Sequence, residues 1–310
     1  MLQLLLGGSG SGKTTLLYQR IRARAEKGKK SILLVPEQFT SSTEGRIYRE
    51  LGDALSGMVE SFSFTSLAEK ILSTEGGAAV QTLSDAGRAV LVRRALEELQ
   101  DNVHYYHRHR RSAAFCQMAA QTIDELKSAG LSGRQLAQLA GACGAESGKL
   151  SELALIFQGY ETLLARSGMD PSDRLELAGA RLEEALARHS LPEFLRDRAV
   201  FIDEFDTFNA PKKRLLGAML AALPSVTVAL CDDGAPLLPG DLSLFSGAKQ
   251  VAAQLRQLAR KNGAEVAVPQ LLRKDLRHRN APGLAAVAEL LETGASSVYP
   301  FALVKTGSGD

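Results

Sequence analysis

Residues Gly7-Gly8-Ser9-Gly10-Ser11-Gly12-Lys13-Thr14 place glycines, a lysine and a hydroxyl at the spacing G-x-x-x-x-G-K-T. An apolar run at residues 2–6 precedes them and the helix-forming Leu16-Leu17-Tyr18-Gln19-Arg20 follows. This is the strand-to-helix setting in which a glycine-rich loop turns successive backbone N–H groups onto phosphate oxygens, at the positive end of a helix. In that chemistry Gly7, Gly8, Ser9, Gly10, Ser11 and Gly12 form the cradle, and Lys13 reaches the β- and γ-phosphates as a point charge. The Thr14 hydroxyl ligates the Mg²⁺ that bridges them. Thr15 reads equally as an α-phosphate contact or as a plain first-turn residue. The expected cofactors are therefore a nucleoside triphosphate, taken as ATP although these residues leave the base open, and Mg²⁺.

The second half of such a site is an acid at the end of a neighbouring strand. Val200-Phe201-Ile202-Asp203-Glu204 is an apolar run ending in two carboxylates. Asp203 is the candidate for a Mg²⁺-bound water and Glu204 for orienting the attacking water. A second apolar run, Val228-Ala229-Leu230-Cys231-Asp232-Asp233, also ends in acids. Asp232 reads either as a γ-phosphate sensor or as a solvated turn.

The elements that must position these groups follow from periodicity. Residues 1–65 alternate strand and helix, with strands at 2–6, 31–35 and 59–64. From 66 to 195 helical periodicity takes over, with helices expected near 86–99, 112–129, 132–142, 149–167 and 173–189. The alternation resumes with strands at 199–203, 226–231 and 265–268 and helices at 211–222 and 247–262. The expected fold class is α/β: a phosphate-loop NTPase with a RecA-like parallel sheet flanked by helices, built from residues 1–65 and 196–293. A large all-helical insertion, 66–195, splits it, and residues 294–310 form a tail or linker.

Bulk composition sets limits. The 310 residues are 45% hydrophobic and 23% charged, with a net charge of +2, so any nucleic-acid argument must be local. No apolar stretch approaches the roughly 20 residues that span a bilayer, and the first strand starts at residue 2, so a cytoplasmic location is expected. Cys116, Cys143 and Cys231 have no metal-ligand or disulfide spacing and read as incidental thiols.

Spacing narrows the class. Lys13 and Asp203 lie 190 positions apart, too far for a small nucleotide kinase. Leu131-Ser132-Gly133-Arg134-Gln135 superficially matches a transporter ATPase signature but stands about 70 residues before the acidic strand, so it reads as a helix-start cap. What remains is a motor core with a helical insertion between its nucleotide motifs, as in domains 1A and 1B of superfamily I helicases.

Several segments together resemble the N-terminal part of the AddB subunit of bacterial AddAB-type helicase–nucleases, which process double-strand breaks for recombination. They are residues 7–14, Val35-Pro36-Glu37-Gln38-Phe39-Thr40, Ser63-Phe64-Thr65-Ser66-Leu67-Ala68, Leu83-Ser84-Asp85-Ala86-Gly87-Arg88 and Phe201-Ile202-Asp203-Glu204-Phe205-Asp206-Thr207-Phe208. The resemblance implies that residues 36–40 and 64–67 are helicase motifs Ia and Ib near single-stranded DNA. The residue types agree: Gln38, Thr40, Thr65 and Ser66 can bond phosphates, and Phe39 and Phe64 each read as a ring stacked on a base or as core packing. It also implies DNA and an AddA-type subunit as partners, a nucleoid-associated location and no membrane. The chain is then a fragment, with the second motor half and the iron–sulfur nuclease domain outside it. The arginines that stabilise the transferred phosphoryl group come from that second half.

Two basic clusters supplement the motifs. Residues 104–111, His-Tyr-Tyr-His-Arg-His-Arg-Arg, interleave aromatics with Arg108, Arg110 and Arg111. Such a run suits single-stranded DNA, and suits a solvated helix connection as well. Residues 273–279 form a second cluster with DNA contact and interdomain hinge as competing roles. A stand-alone phosphate-loop NTPase or small-molecule phosphotransferase is the alternative function.

Overall fold

The computed structural model describes residues 1–273 apart from 80, 110 and 242, together with 283, 286 and 287. In chain order its elements begin with β1 (Leu2–Gly7), α1 (Lys13–Ala25), β2 (Ser31–Leu34), α2 (Thr40–Leu51), α3 (Asp53–Ser56), β3 (Val59–Phe62) and α4 (Phe64–Glu75). The helices α5 (Asp85–Glu98), α6 (Ala113–Ser128), α7 (Gly133–Ala140), α8 (Ser147–Ser167) and α9 (Pro171–Ala187) follow. Then come β4 (Ala199–Ile202), α10 (Ala210–Ala222), β5 (Ser225–Cys231), α11 (Ser246–Lys261) and β6 (Gln270–Leu272). Contacts divide the chain into two compact units, one of residues 1–64, 193–208 and 219–310, the other of 65–192 and 209–218.

The first unit holds an all-parallel six-stranded sheet in the order β3-β2-β4-β5-β1-β6. Parallel neighbours need long crossovers, and the helices between the strands supply them. Alternate side chains bury on opposite faces, which is why the strands read as continuous apolar runs. Leu5, Leu33, Val35, Val59, Ala199, Phe201 and Ala229 share one face with Leu17, Tyr18 and Ile21 of α1 and Ile47 and Leu51 of α2. α11 packs against β1 and β5.

The last strand differs from expectation. Val266 makes only an isolated bridge to Leu2, and the paired strand is β6, with Leu5 opposite Gln270 and Gly7 opposite Leu272. Pro269 explains the shift: it has no N–H to give the ladder, so pairing lapses there and resumes at Gln270. β3 likewise ends at Phe62, two residues before the expected end, and Phe64 opens α4. The expected tail 294–310 and the cluster at 274–279 lie outside the described residues.

The second unit is helical. Its core joins Leu91 and Ala95 of α5, Cys116, Ala119, Ala120 and Ile123 of α6, Leu136 of α7 and Phe157, Tyr160 and Leu164 of α8. The 3- and 4-residue spacing on α6 gives it one apolar stripe. At Gly133 a Cβ would stand 2.8 Å from the Gln158 nitrogen, so α7 meets α8 backbone to backbone. The 131–135 segment is a helix start: Ser132 and Gln135 form a reciprocal capping box. Inside the unit, Lys127 bonds Asp170 at 2.7 Å and Asp173 at 2.8 Å, and the Tyr160 hydroxyl donates to Asp170 at 2.6 Å.

Glu152 of α8 organises the basic segment. Its buried carboxylate accepts from the backbone N–H of His104 at 2.8 Å, of Tyr105 at 2.8 Å and of Tyr106 at 3.3 Å. Truncation would leave three donors without their acceptor. Glu152→Ala should therefore lower unfolding free energy by about 2–4 kcal/mol, read from the urea midpoint. An unchanged midpoint would mean that water replaces the carboxylate at no cost.

Candidate active site

Because all strands run the same way, β1, β4 and β5 end at one edge of the sheet, with β5 between the other two. The loop leaves that edge at Gly7. Gly10 (φ 78°) and Gly12 (φ 89°) take left-handed backbone, which reverses the chain without a Cβ penalty. Gly12 is the N-cap of α1, which has no side-chain cap and no acid in its first turn. The helix thus begins with uncapped N–H groups at the loop, a ready anion site. Gly7 has no room for a side chain, since a Cβ there would lie 2.7 Å from the Leu272 carbonyl oxygen.

The Lys13 ammonium donates to the carbonyls of Gly7 at 2.7 Å and Gly8 at 2.8 Å, and lies 4.0 Å from the Cys231 sulfur. The Ser11 hydroxyl is buried with no hydrogen-bond partner among the described residues. Thr15 is exposed on the first turn. Ser9 lines a cavity of about 510 Å³ whose other walls include Phe205, Leu230, Cys231 and Phe245.

α1 packs against β1 and β2, and its first turn holds Thr14 near the end of β4. There Thr14 and Asp203 line one pocket, and the Thr14 hydroxyl favours the ionised Asp203 carboxylate. Asp203 is 6% exposed, and burial pushes its carboxyl above the ordinary carboxylate range. The Thr14 hydroxyl, the Glu204 N–H at 3.0 Å, and the charges of Lys13 and Arg46 pull it back. Glu204 is exposed and holds φ 64°, a left-handed backbone that is costly for a residue with a Cβ. The pair therefore joins a buried acid to an exposed one.

This donor set suits Mg²⁺, a hard cation that takes one or two protein oxygens and leaves its other positions to phosphates and water. Among the described residues no group of three or more His, Cys, Asp or Glu side chains is placed to hold a metal. Asp232, 3% exposed, spends one carboxylate oxygen on the Gly234 N–H at 2.8 Å, and its own N–H reaches Gly7 O at 3.3 Å. It stands beside the loop, but its side chain closes its own turn.

The residues expected at DNA are distributed over both units. In the first, Gln38 is exposed on a 3₁₀ turn, Glu37–Phe39, and the Thr40 hydroxyl donates to Glu37 O at 3.0 Å. Phe64 is 2% exposed, with its ring edge-on to Phe205 and Phe208 at centroid distances of 5.2 and 6.0 Å. Of the two readings of Phe64, base stacking is corrected here and core packing holds: apolar packing leaves the ring no open face. In the second unit Thr65, Ser66, Arg108 and Arg111 are exposed, and Arg110 lies outside the described residues.

Sequence reasoning missed Arg46 and Tyr18. Arg46 of α2 stacks 5.0 Å over the Tyr18 ring, and both line a pocket with Thr14, Asp203 and Glu204. The available signal was spacing, since Thr14 and Tyr18 are one helical turn apart and share a face. Arg46 is brought there only by the packing of α2 on α1.

No helix among the described residues is long and apolar enough to cross a membrane. The profile of the family described as "ADDB, N-terminal" matches residues 4–288. The chain is 34% identical over 296 residues to a protein of Desulforudis audaxviator named as the B-type subunit of an ATP-dependent helicase/deoxyribonuclease, covering 92% of this chain and 25% of that protein. Proteins of the same name from Moorella thermoacetica and Symbiobacterium thermophilum are 33% and 31% identical, over 92% and 96% of this chain and 25% and 26% of theirs. The chain thus spans about a quarter of the length of the curated relatives it matches. With the family profile matched over most of its length, the chain belongs to the AddB N-terminal family.

Proposed function

We propose that this chain is the ATP-binding, helicase-like N-terminal portion of the AddB-type subunit of an ATP-dependent helicase/deoxyribonuclease, acting in DNA double-strand-break processing and recombinational repair. The observation that carries the reading is that Thr14, at the helix start of a glycine-rich loop, and the buried Asp203, two strands away, line one pocket. In this reading residues 7–14 are a phosphate loop, Lys13 neutralises the terminal phosphates, and Thr14 and Asp203 hold Mg²⁺ directly or through water. Bound Mg²⁺ would supply charge neutralisation at the phosphates. Glu204, exposed beside Asp203, orients and deprotonates the attacking water.

The remaining assignments extend the same reading. Residues 1–65 and 196–293 form the RecA-like core, residues 66–195 a 1B-like insertion, and residues 294–310 a tail or linker. Gln38, Thr40, Thr65, Ser66, Arg108, Arg110 and Arg111 contact single-stranded DNA, and an AddA-type subunit is the partner. The protein works in the cytoplasm at the nucleoid.

Two titrations test this. Calorimetry should give saturable binding of Mg–ATP to the chain, and its absence overturns the nucleotide assignment. Fluorescence anisotropy should give weak single-stranded DNA binding that falls with salt, by about 0.7 in log affinity per log salt for each neutralised phosphate. Replacing Arg108, Arg110 and Arg111 together by alanine should flatten that slope. A triple variant with wild-type slope and affinity would remove this segment from the DNA path.

A further inference from the structure

The pocket beside the Thr14–Asp203 pair holds a cation that the nucleotide motifs do not include. Its volume is about 170 Å³, and its walls include Thr14, Tyr18, Asp203 and Glu204 together with Thr43, Arg46 and Arg49 of α2. The Arg46 guanidinium is half-buried and fixed by the Tyr18 ring, 5.0 Å from its centroid. Stacking of this kind holds a guanidinium in place while leaving its in-plane N–H donors outside the contact. Tyr18 is itself buried in the core that α1 and α2 share, so the platform is rigid. The charge acts on the acids: Arg46 and Lys13 both favour the ionised form of Asp203. Arg49, by contrast, is exposed and donates to its own helix at Gly45 O.

We infer that Arg46 is a built-in positioning cation which faces the Asp203–Glu204 carboxylates and sets how strongly nucleotide binding at this site depends on divalent metal. The inference rests on the nucleotide-site reading above. Two electrostatic effects act in one direction. Without metal, Arg46 offsets the repulsion between the carboxylates and an incoming triphosphate. With metal, the same positive charge opposes a dication at Thr14 and Asp203. Both make metal matter less, so removing Arg46 must make it matter more.

The measurement is the affinity of a non-hydrolysable ATP analogue at pH 8, by calorimetry, in excess Mg²⁺ and in excess EDTA. The ratio of the two affinities is the metal dependence. Arg46→Ala should raise that ratio by about 3- to 10-fold, the size expected for one charge acting through a partly screened medium. Arg46→Lys, which keeps the charge, should stay within about twofold of wild type, and so should Arg49→Ala, which removes a solvated one. Circular dichroism establishes that each variant is folded. An unchanged or lowered ratio in Arg46→Ala overturns the inference, as does an equal rise in Arg49→Ala. Should Arg46→Ala not fold, the lysine variant decides, since a rise there as large as 3-fold also overturns it and a ratio held within twofold supports it. Wild-type protein that binds the analogue in neither condition overturns the nucleotide-site reading itself, and this inference with it.

Discussion

Lys13→Ala should abolish Mg–ATP binding, with a loss of about 100-fold or more in affinity and no loss of fold. The magnitude follows from removing a charged donor from a polyanion, where each charge-assisted hydrogen bond contributes about 1.5–3 kcal/mol and a lysine at this position makes more than one. The fold survives because the side chain serves the loop: Lys13 is only half-buried and its ammonium bonds the carbonyls of Gly7 and Gly8. Calorimetry on a variant with wild-type circular dichroism is the check. Unchanged affinity in that folded variant would sink the phosphate-loop assignment.

The second large effect is on turnover. This chain alone should hydrolyse ATP slowly, by a factor of about 10³–10⁵ relative to a complete motor, because arginines aimed at the transferred phosphoryl group contribute that much in related enzymes. The AddB reading assigns them to sequence beyond this stretch. Single-turnover hydrolysis of labelled ATP measures the rate. Fast turnover by the chain alone, lost in Glu204→Gln, would make the site self-sufficient and favour a stand-alone NTPase.

Most of the candidate half-site is legible in the residues because the chemistry it would perform is local. A phosphate loop needs glycines, a lysine and a hydroxyl at fixed spacing on contiguous chain, and residues 7–14 supply them. The strand apolarity of 199–202 and the acid that follows mark Asp203 in the same way. The capping box at Ser132 and Gln135 is also readable, since its partners are three residues apart.

Other features are legible only in part. Alternation places the last strand at 265–268, whereas the ladder runs at 270–272, because Pro269 interrupts pairing that a pattern count does not penalise. The sequence leaves Phe64 open between stacking and core packing, and Phe205 and Phe208, about 140 residues away, decide it by enclosing the ring. Glu152 gives no signal at all, since the three N–H groups it holds lie more than 45 positions earlier.

The sequence by itself determined the strand-to-helix loop, the acids that end the strands and the α/β alternation, because each follows from neighbours within a few residues. Tertiary structure alone decided that β5 stands between β1 and β4, that Thr14 meets Asp203, and that Arg46 settles on Tyr18 beside them. The physical reason is that sheet order and helix packing are set by burial of both sheet faces over the whole unit. No window of sequence records which strand becomes the neighbour of which.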